Sequence, residues 1–556
     1  MDFTAHSQSA DMQSVVSDPS SSTLATFVDR VTPILVFLFS LAYLCAFVRY
    51  SSLEPDEGIL LQGGQRILEG QIPYRDFFSF YTPGSFYLVA ALFKVFGDSF
   101  VVARLSLAVT GAACSLVTYL LARRVCSRTV SVFAAALTTM AGVAYRFLVL
   151  HNWYSTVLAG LALYSAMRLL ETRKPRWASA TGSFCSITAM VEQSKGAGLC
   201  LGLALGFGVL WIIGKKRLFG KSELAGLSLG FLWPLVLVFA YFGAQHSIGI
   251  MVEDWLWPLH HYTSANNVTY GYQNWSDDAR NLIFHTGPMW ARVVKTLAVS
   301  PGFLVPALPL VAVGLLGYWL LQGVRGSTPL DKCQYYIVVC GVLSGLLVSV
   351  LTVRADIIHF MYLAPLWYVL LAWVLDARDF RAATLRALRP YLVMVIGVTF
   401  GLMSLAILTT VTGAHDRVVT RRGVITTAED DTIISYVQGH TAPGEKILVY
   451  PYLPLYYYLT GTRSPAPLDY FQPGMNTPEQ AGEIIASLRS QDVKTVVFEP
   501  SFAEKMGTSW PGTPLGLLAN DPVGEYLARN YRVCKILNSS SDSTFQFMVQ
   551  RAKQCT

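Results

Sequence analysis

The chain has 556 residues, 53% of them apolar and only 14% charged, with 42 Lys and Arg against 35 Asp and Glu for a formal net charge of +7. A soluble domain carries about 25% charged residues, and several apolar runs here are too long for a soluble core. The composition excludes a soluble enzyme, leaves only a small basic excess, too little to point to nucleic acid, and points to a multi-pass membrane protein in which the placement of Lys and Arg matters more than their sum.

Residues 1–30 are rich in Ser, Asp and Thr without apolar periodicity, so a disordered cytoplasmic tail is expected. No basic n-region with a short cleavable core precedes the run Val31–Val48, which reads as a retained anchor. Apolar segments then recur near 100–122, 129–147, 152–170, 177–193, 196–214, 222–243, 299–321, 334–353, 358–375 and 391–411, for about eleven spans in all. Glu192, Gln193, Ser194 and Lys195 interrupt the stretch 177–214, which is either two spans or one broken helix.

Loop charges orient these spans. With a cytoplasmic N-terminus, the inside loops carry Arg123, Arg124 and Arg128; Arg173, Lys174 and Arg176; Lys215, Lys216, Arg217 and Lys221; Arg325 and Lys332; and Arg378, Arg381, Arg386 and Arg389. Most of the opposite loops are poorer, with Arg146 in one, Lys195 in another and Arg354 in a third. The positive-inside bias therefore places a first loop (50–98), a second large loop (244–298) and everything after about 412 on the outer, periplasmic side of an inner membrane. The division is a tail (1–30), a transmembrane part (31–411) and an outer-face α/β domain (412–556). In that domain Lys446–Tyr450, Val493–Phe498 and Phe545–Val549 read as strands, and Pro478–Leu488 and Leu515–Arg529 as helices.

Five of the nine cysteines (Cys45, Cys114, Cys185, Cys200 and Cys340) fall inside apolar runs, and no CxxC or Cys/His ligand spacing occurs. Cys534 and Cys555 lie in the polar C-terminal part, and their pairing requires an oxidising compartment.

Chemistry-bearing residues concentrate in the first loop. Glu54-Pro55-Asp56-Glu57-Gly58 puts three carboxylates in four positions where an apolar run has just delivered the chain to a membrane surface. Pro55 suits the first position of a helix, with Asp56 and Glu57 in its first turn and Gly70 as a stop. Ile59, Leu60, Ile67 and Leu68 give that helix an interfacial character, and a second short helix is expected from Thr82-Pro83 to Gly97. Acids in a first turn also complement the helix dipole without further purpose. Against that bland reading, paired carboxylates at a bilayer are costly unless matched and are often functional. Arg75-Asp76, flanked by Tyr74, Phe77, Phe78 and Tyr81, offers a second carboxylate among aromatic rings, a surface suited to a sugar.

The run Asp56-Glu57-Gly58, Gly70-Gln71-Ile72-Pro73-Tyr74-Arg75-Asp76-Phe77, Thr82-Pro83-Gly84, Tyr87-Leu88, Phe96-Gly97-Asp98-Ser99 and Arg104-Leu105 resembles the front of the GT-C fold membrane glycosyltransferases. The likeness is to the protein mannosyltransferase, aminoarabinose transferase and galacturonosyl transferase group; it covers residues 50–125 in motif and the whole chain in layout. That family often has Pro-Pro where this chain has Pro83-Gly84, which alters a helix start. The resemblance implies a polyprenyl-phosphate-linked sugar donor used on the outer face, with Asp56 as catalytic base and Glu57 as its neighbour.

Such a reaction is an inverting displacement: a carboxylate takes the acceptor hydroxyl proton while the departing lipid phosphate is met by cations or hydrogen bonds. Lys195, Arg354 and His359 are the candidates for the donor phosphate. Tyr74, Arg75, Asp76, Tyr81 and His151 are those for sugar or acceptor, each also readable as a helix-end anchor or a satisfied polar side chain. The acceptor class, whether glycan, lipid or protein, is left open. No metal ligand set is visible, although acids near a phosphate could share a divalent ion. In the second loop, Glu253–Tyr262 reads as an interfacial helix with aromatics, and His260-His261 lacks zinc spacing. Asn267, Asn274 and Asn538 begin glycosylation sequons. The alternative is a transporter or lipid flippase, which predicts an internal repeat and charged mid-bilayer helices; neither is evident.

Overall fold

The computed structural model of the chain describes residues 19–214, 218–262, 266–325, 330–376, 383–472, 475–513, 520–538 and 544–555. Residues 1–18 of the expected tail, Lys215, Lys216, Arg217, Arg378, Arg381, Ser539, Ser540 and part of the expected helix 515–529 lie outside them.

The membrane part is a series of helices. α1 (Pro19–Cys45) leads into α2 (Pro55–Leu68), α3 (Gly84–Phe96), α4 (Phe100–Ala122) and α5 (Arg128–Leu137). There follow α6 (His151–Thr172), α7 (Pro175–Val191), α8 (Gln193–Gly214), α9 (Lys221–Ala244), α10 (Ile248–Trp257), α11 (Asp277–Phe284) and α12 (Met289–Val299). The series closes with α13 (Pro301–Val324), α14 (Leu330–Val353), α15 (Ile357–Tyr362), α16 (Ala364–Asp376) and α17 (Ala383–Thr412). Residues 19–30 of the expected tail are thus helical, because Leu24, Ala25, Phe27 and Val28 extend the apolar spacing of α1 backwards.

Among the described residues, seven segments are long and apolar enough to cross a bilayer by length and composition: Phe27–Cys45, Phe100–Ala122, Gln193–Gly214, Lys221–Ala244, Met289–Val324, Cys333–Val353 and Ala387–Thr412. The chain is a multi-pass, mainly helical membrane protein. The other expected segments are also helical but interrupted or more polar. α5 passes into a π-turn at Thr138–Gly142 and a 3-10 turn at Val143–Arg146, and Leu363 separates α15 from α16. The stretch 177–214 resolves into two helices parted at Glu192, whose backbone is extended.

The C-terminal region carries the sheets. A hairpin of β1 (Asp416–Thr420) and β2 (Gly423–Thr427) precedes α18 (Thr432–His440), β3 (Leu448–Tyr450) and α19 (Pro454–Thr460). Then come α20 (Pro478–Ser490), β4 (Thr495–Phe498), α21 (Phe502–Ser509), α22 (Pro522–Asn530), β5 (Tyr531–Asn538) and β6 (Thr544–Gln550). The four-stranded sheet has the order β3-β4-β6-β5, with β3 and β4 parallel and the remaining pairs antiparallel. Three strands and α20 match expectation. The β1–β2 hairpin and β5 were not anticipated, since their mixed polar sequences have no clean alternation. Cys534 and Cys555 are joined by a disulfide.

One apolar cluster runs without a break from the first loop into this region, with Leu60, Phe86 and Val149 sharing it with Ile447, Leu455 and Tyr458. The expected interfacial helix α2 is therefore buried between α3 and α19. α3 keeps an open apolar side, with Val95 and Phe96 about two-thirds exposed. Polar ties accompany the apolar ones. Ser51 N–H donates to Thr426 O at 2.9 Å, Phe78 N–H to Pro467 O at 3.0 Å and Phe100 N–H to Arg422 O at 2.9 Å. Arg66 pairs with Asp469 at 2.7 Å, both side chains buried.

Close approach of α2 to α19 depends on Gly58, where an ideal Cβ would lie 2.0 Å from the Leu455 backbone nitrogen. Backbone cannot yield cheaply to such an overlap. Gly58→Val should therefore lever α19 away, seen as faster proteolysis of the region after 412 in the solubilised protein and a thermal midpoint several degrees below the parent's.

Candidate active site

α2 begins where Pro55 supplies a helix-compatible φ after an extended Glu54. Asp56 and Glu57 follow each other in the first turn, so their side chains leave the helix about 100° apart. Glu57 points inward and is fully buried. Its Oε2 lies 2.6 Å from Arg104 Nη2, and its Oε1 accepts the Val149 N–H at 2.9 Å. Arg104 also donates to Phe147 O and lies over the Phe100 ring. Burial pushes the Glu57 carboxyl above its ordinary range, opposed by the Arg104 guanidinium and the Val149 N–H. A carboxylate with both oxygens engaged and no exposure does not meet a reactant. The expectation that Glu57 shares the catalytic role gives way to one as a strut tying α2 to residues 147–149.

Asp56 points the other way and its side chain is 41% exposed. Its Oδ1 accepts the Tyr452 O–H at 2.9 Å, and its Oδ2 lies 3.3 Å from Arg146 Nη2. Arg146 also reaches Glu54 at 3.2 Å and donates from Nε to Tyr362 Oη at 2.9 Å. Tyr81 and His151 line a small cavity with Asp56, their rings 4.3 Å apart. Beside it opens a cleft of about 200 Å³, with Tyr50, Glu54 and Arg146 among its polar walls and Phe47, Ile407 and Val411 among its apolar ones. That amphiphilic lining suits a molecule with a charged head and an apolar tail.

The expected phosphate ligands are already engaged. Arg354 is buried; its Nε meets Asp356 Oδ2 at 2.6 Å, and its Nη2 reaches Asn274 Oδ1 at 2.8 Å and Ser509 O at 2.5 Å. Asp356 caps α15 through the His359 N–H at 3.0 Å and contacts His359 Nδ1 at 2.7 Å. Despite burial, His359 and Arg354 hold the Asp356 carboxyl below the usual range. This leaves Nε2 as the second ring nitrogen of His359, whose side chain is 26% exposed and whose ring lies 6.2 Å from that of Tyr362. Lys195 is buried, paired with Glu192 at 2.9 Å and bonded to Asn152 O, Ser155 Oγ and Thr156 Oγ1. It fastens the start of α8 onto α6.

Of the expected sugar or acceptor residues, Tyr81 and His151 stand at Asp56. Tyr74 is buried and donates to Tyr81 O at 2.8 Å, so it braces the site from behind. Arg75 and Asp76 pair with each other on the surface at 2.8 Å, and Arg75 also reaches Gln245; among the described residues they share no partner with Asp56. Tyr452 and Tyr362 escaped sequence reasoning. Tyr452 lies 396 positions from Asp56, and no local pattern could have joined them. Among the described residues, no group of three or more His, Cys, Asp or Glu is placed to hold a metal ion.

Comparison with known proteins follows the same lines. Residues 81–242 match the family model of dolichyl-phosphate-mannose-protein mannosyltransferases. No curated protein matches the sequence. Among solved structures, the oligosaccharyltransferase AglB of Archaeoglobus fulgidus, in complex with an inhibitory peptide and a dolichol-phosphate, is 12% identical with a TM-score of 0.49, over 95% of this chain and 75% of that one. ArnT of Cupriavidus metallidurans bound to undecaprenyl phosphate is 13% identical with a TM-score of 0.49, over 95% and 98%. The arabinofuranosyltransferase AftD from Mycobacteria is 13% identical with a TM-score of 0.42, over 84% and 35%. Residues 81–242 are thus similar to membrane glycosyltransferases of the mannosyltransferase kind.

Two predictions follow from the geometry. Glu57→Gln leaves the Arg104 guanidinium buried without its counter-charge, a loss of about 3–5 kcal/mol, readable as a lowered thermal midpoint with the chain still in the membrane. Asp254 on α10 is buried, accepts the Ser79 N–H at 3.4 Å, and is pushed up to about 7 by desolvation. A carboxyl raised in the folded state binds its proton more tightly there than when unfolded. Stability therefore falls as pH climbs from the ordinary carboxylate range through about 7. Asp254→Asn removes that slope: its midpoint should change less than the parent's between pH 5 and pH 8.

Proposed function

We propose that the protein is a glycosyltransferase that moves a sugar from a polyprenyl-phosphate donor to an acceptor hydroxyl, with Asp56 as general base. The observation that carries this reading is the environment of Asp56. The carboxylate stands at a helix start among the ends of apolar helices, steadied by Tyr452 and Arg146, yet keeps 41% of its side chain exposed. A structural carboxylate of the Glu57 kind has no exposure to spare. The match of residues 81–242 to a mannosyltransferase family supports the reaction class. AglB and ArnT were solved with dolichol-phosphate and undecaprenyl phosphate, the donor carrier chemistry proposed here.

In this reading an acceptor O–H meets Asp56, which takes its proton as the oxygen attacks the anomeric carbon; the bond to the lipid phosphate breaks on the opposite side and the configuration inverts. Charge grows on the departing phosphate and calls for a cation in a water-poor site. Arg146 is the guanidinium nearest to the reacting carboxylate, and His359 reaches the same place through Tyr362. Arg354 and Lys195 act one step back, holding His359 and α8 in place.

The reaction is proposed to run on the outer face. The Lys and Arg asymmetry of the loops favours that side for residues 50–98, 244–298 and 412–556. The Cys534–Cys555 disulfide also fits an oxidising compartment. The sugar must then arrive on a carrier that has crossed the membrane, and the cleft beside Arg146 suits such an amphiphile.

Asp56→Asn keeps the shape and the Tyr452 bond but removes the base. Transfer from a polyprenyl-phosphate sugar by purified protein should fall at least 100-fold, in line with the usual contribution of a positioned base, while membrane insertion is unchanged. Full activity in that variant overturns the assignment.

A further inference from the structure

Four aromatic rings of the C-terminal region gather at the residue that touches the proposed base. Tyr452, whose hydroxyl reaches Asp56, lies 5.5 Å from the Tyr470 ring, 6.1 Å from Phe502 and 5.7 Å from Trp510. Trp510 and Phe502 are themselves 6.1 Å apart. Three of the rings are buried, whereas Trp510 is only half-buried and forms the accessible member. Its place is fixed from below: Ser509 O accepts from Arg354 at 2.5 Å and Thr508 O from Tyr272 at 2.9 Å. Trp510 therefore stands between the Asp56 group and the Arg354–Asp356–His359 group.

A purely apolar cluster would leave no polar remainder. Here Ser501 Oγ, next to Phe502, and Thr513 Oγ1, three residues past Trp510, are buried and unpartnered among the described residues, as are both amide atoms of Gln472, two residues past Tyr470. Gln472 is completely buried. Each such group is costly to bury unless something bonds to it. Aromatic faces in a stretch of chain that also carries unsatisfied amide and hydroxyl groups match one ligand chemistry, a sugar ring, with apolar C–H faces and hydroxyls at its rim.

We propose that the Tyr452–Tyr470–Phe502–Trp510 cluster is a sugar subsite, with Trp510 packing against the ring of the sugar that reacts at Asp56. This rests on the transferase reading and adds that the C-terminal region selects the sugar. The ring belongs either to the donor or to a glycan acceptor, and the experiment separates the two. The full chain in lipid nanodiscs is titrated with bare undecaprenyl phosphate and with undecaprenyl phosphates loaded with mannose, glucose or arabinofuranose. Transfer is then measured with methyl α-mannoside as surrogate acceptor.

Loss of one ring contact is worth about 0.5–1.5 kcal/mol, so Trp510→Ala should weaken binding of the preferred loaded lipid by about twofold to twelvefold. Bare lipid should bind as in the parent, and Trp510→Phe should restore much of the loss. If the ring belongs to the acceptor, both lipids bind as before and the KM for methyl α-mannoside rises by the same factor. Unchanged lipid binding and KM in Trp510→Ala overturn the subsite, as does an equal loss for loaded and bare lipid, which marks a structural role only. An unaltered chain that transfers nothing and binds loaded and bare lipid alike removes the transferase reading and the subsite together. An unaltered chain that transfers, with lipid binding and KM both unchanged in Trp510→Ala, removes the subsite alone.

Discussion

Arg146 lies between two carboxylates, Glu54 and Asp56, and the proposed site is arranged around that contact. Acids at a membrane surface are tolerated when hydrated or matched. Here the match is uneven: one guanidinium serves two carboxylates and a tyrosine, while Asp56 keeps part of its surface open. The adjacent Glu57 shows the opposite solution, a complete pairing in full burial. Two acids one residue apart thus have different fates because a helix turn sends one toward α4 and the other toward a cavity.

The second constraint is that the C-terminal region packs against the proposed site. Tyr452 bonds to Asp56, Ser509 accepts from Arg354, and Asp469 neutralises Arg66 of α2. These contacts sit on a continuous apolar cluster, so α2 is clamped between α3 and α19. Precision at Asp56 then depends on elements several hundred residues downstream. Ion pairs buried in this way do little for net stability but penalise misplacement of either partner, a property suited to holding a reacting group in register.

Much of this was legible in the sequence. Apolar length and Pro55 locate α1 and α2, and the acids of the first turn single out the proposed site, because these signals are local and periodic. Glu57 and Asp56 were equivalent at that level, since burial is a property of packing and not of sequence spacing. Arg354 and Lys195 stood out as sparse cations, but their carboxylate partners Asp356 and Glu192 lie within three residues, and such short-range pairing competes with any ligand. Tyr452, Tyr362 and Trp510 were out of reach, because nothing local distinguishes them from other aromatics in an aromatic-rich chain. The β1–β2 hairpin, which pairs with Tyr50 and Ser51 at the head of the first loop, was missed because its mixed polar sequence has no clean alternation.

The central claim is a single displacement at the anomeric carbon with Asp56 taking the proton. The most direct measurement is the anomeric configuration of the product formed by purified protein from a polyprenyl-phosphate sugar of defined anomer, read from the one-bond carbon–hydrogen coupling in its NMR spectrum. A single displacement gives a product of configuration opposite to that of the donor. A product that retains the donor's configuration would contradict it, because retention requires a second nucleophile where only one exposed carboxylate has been assigned a role.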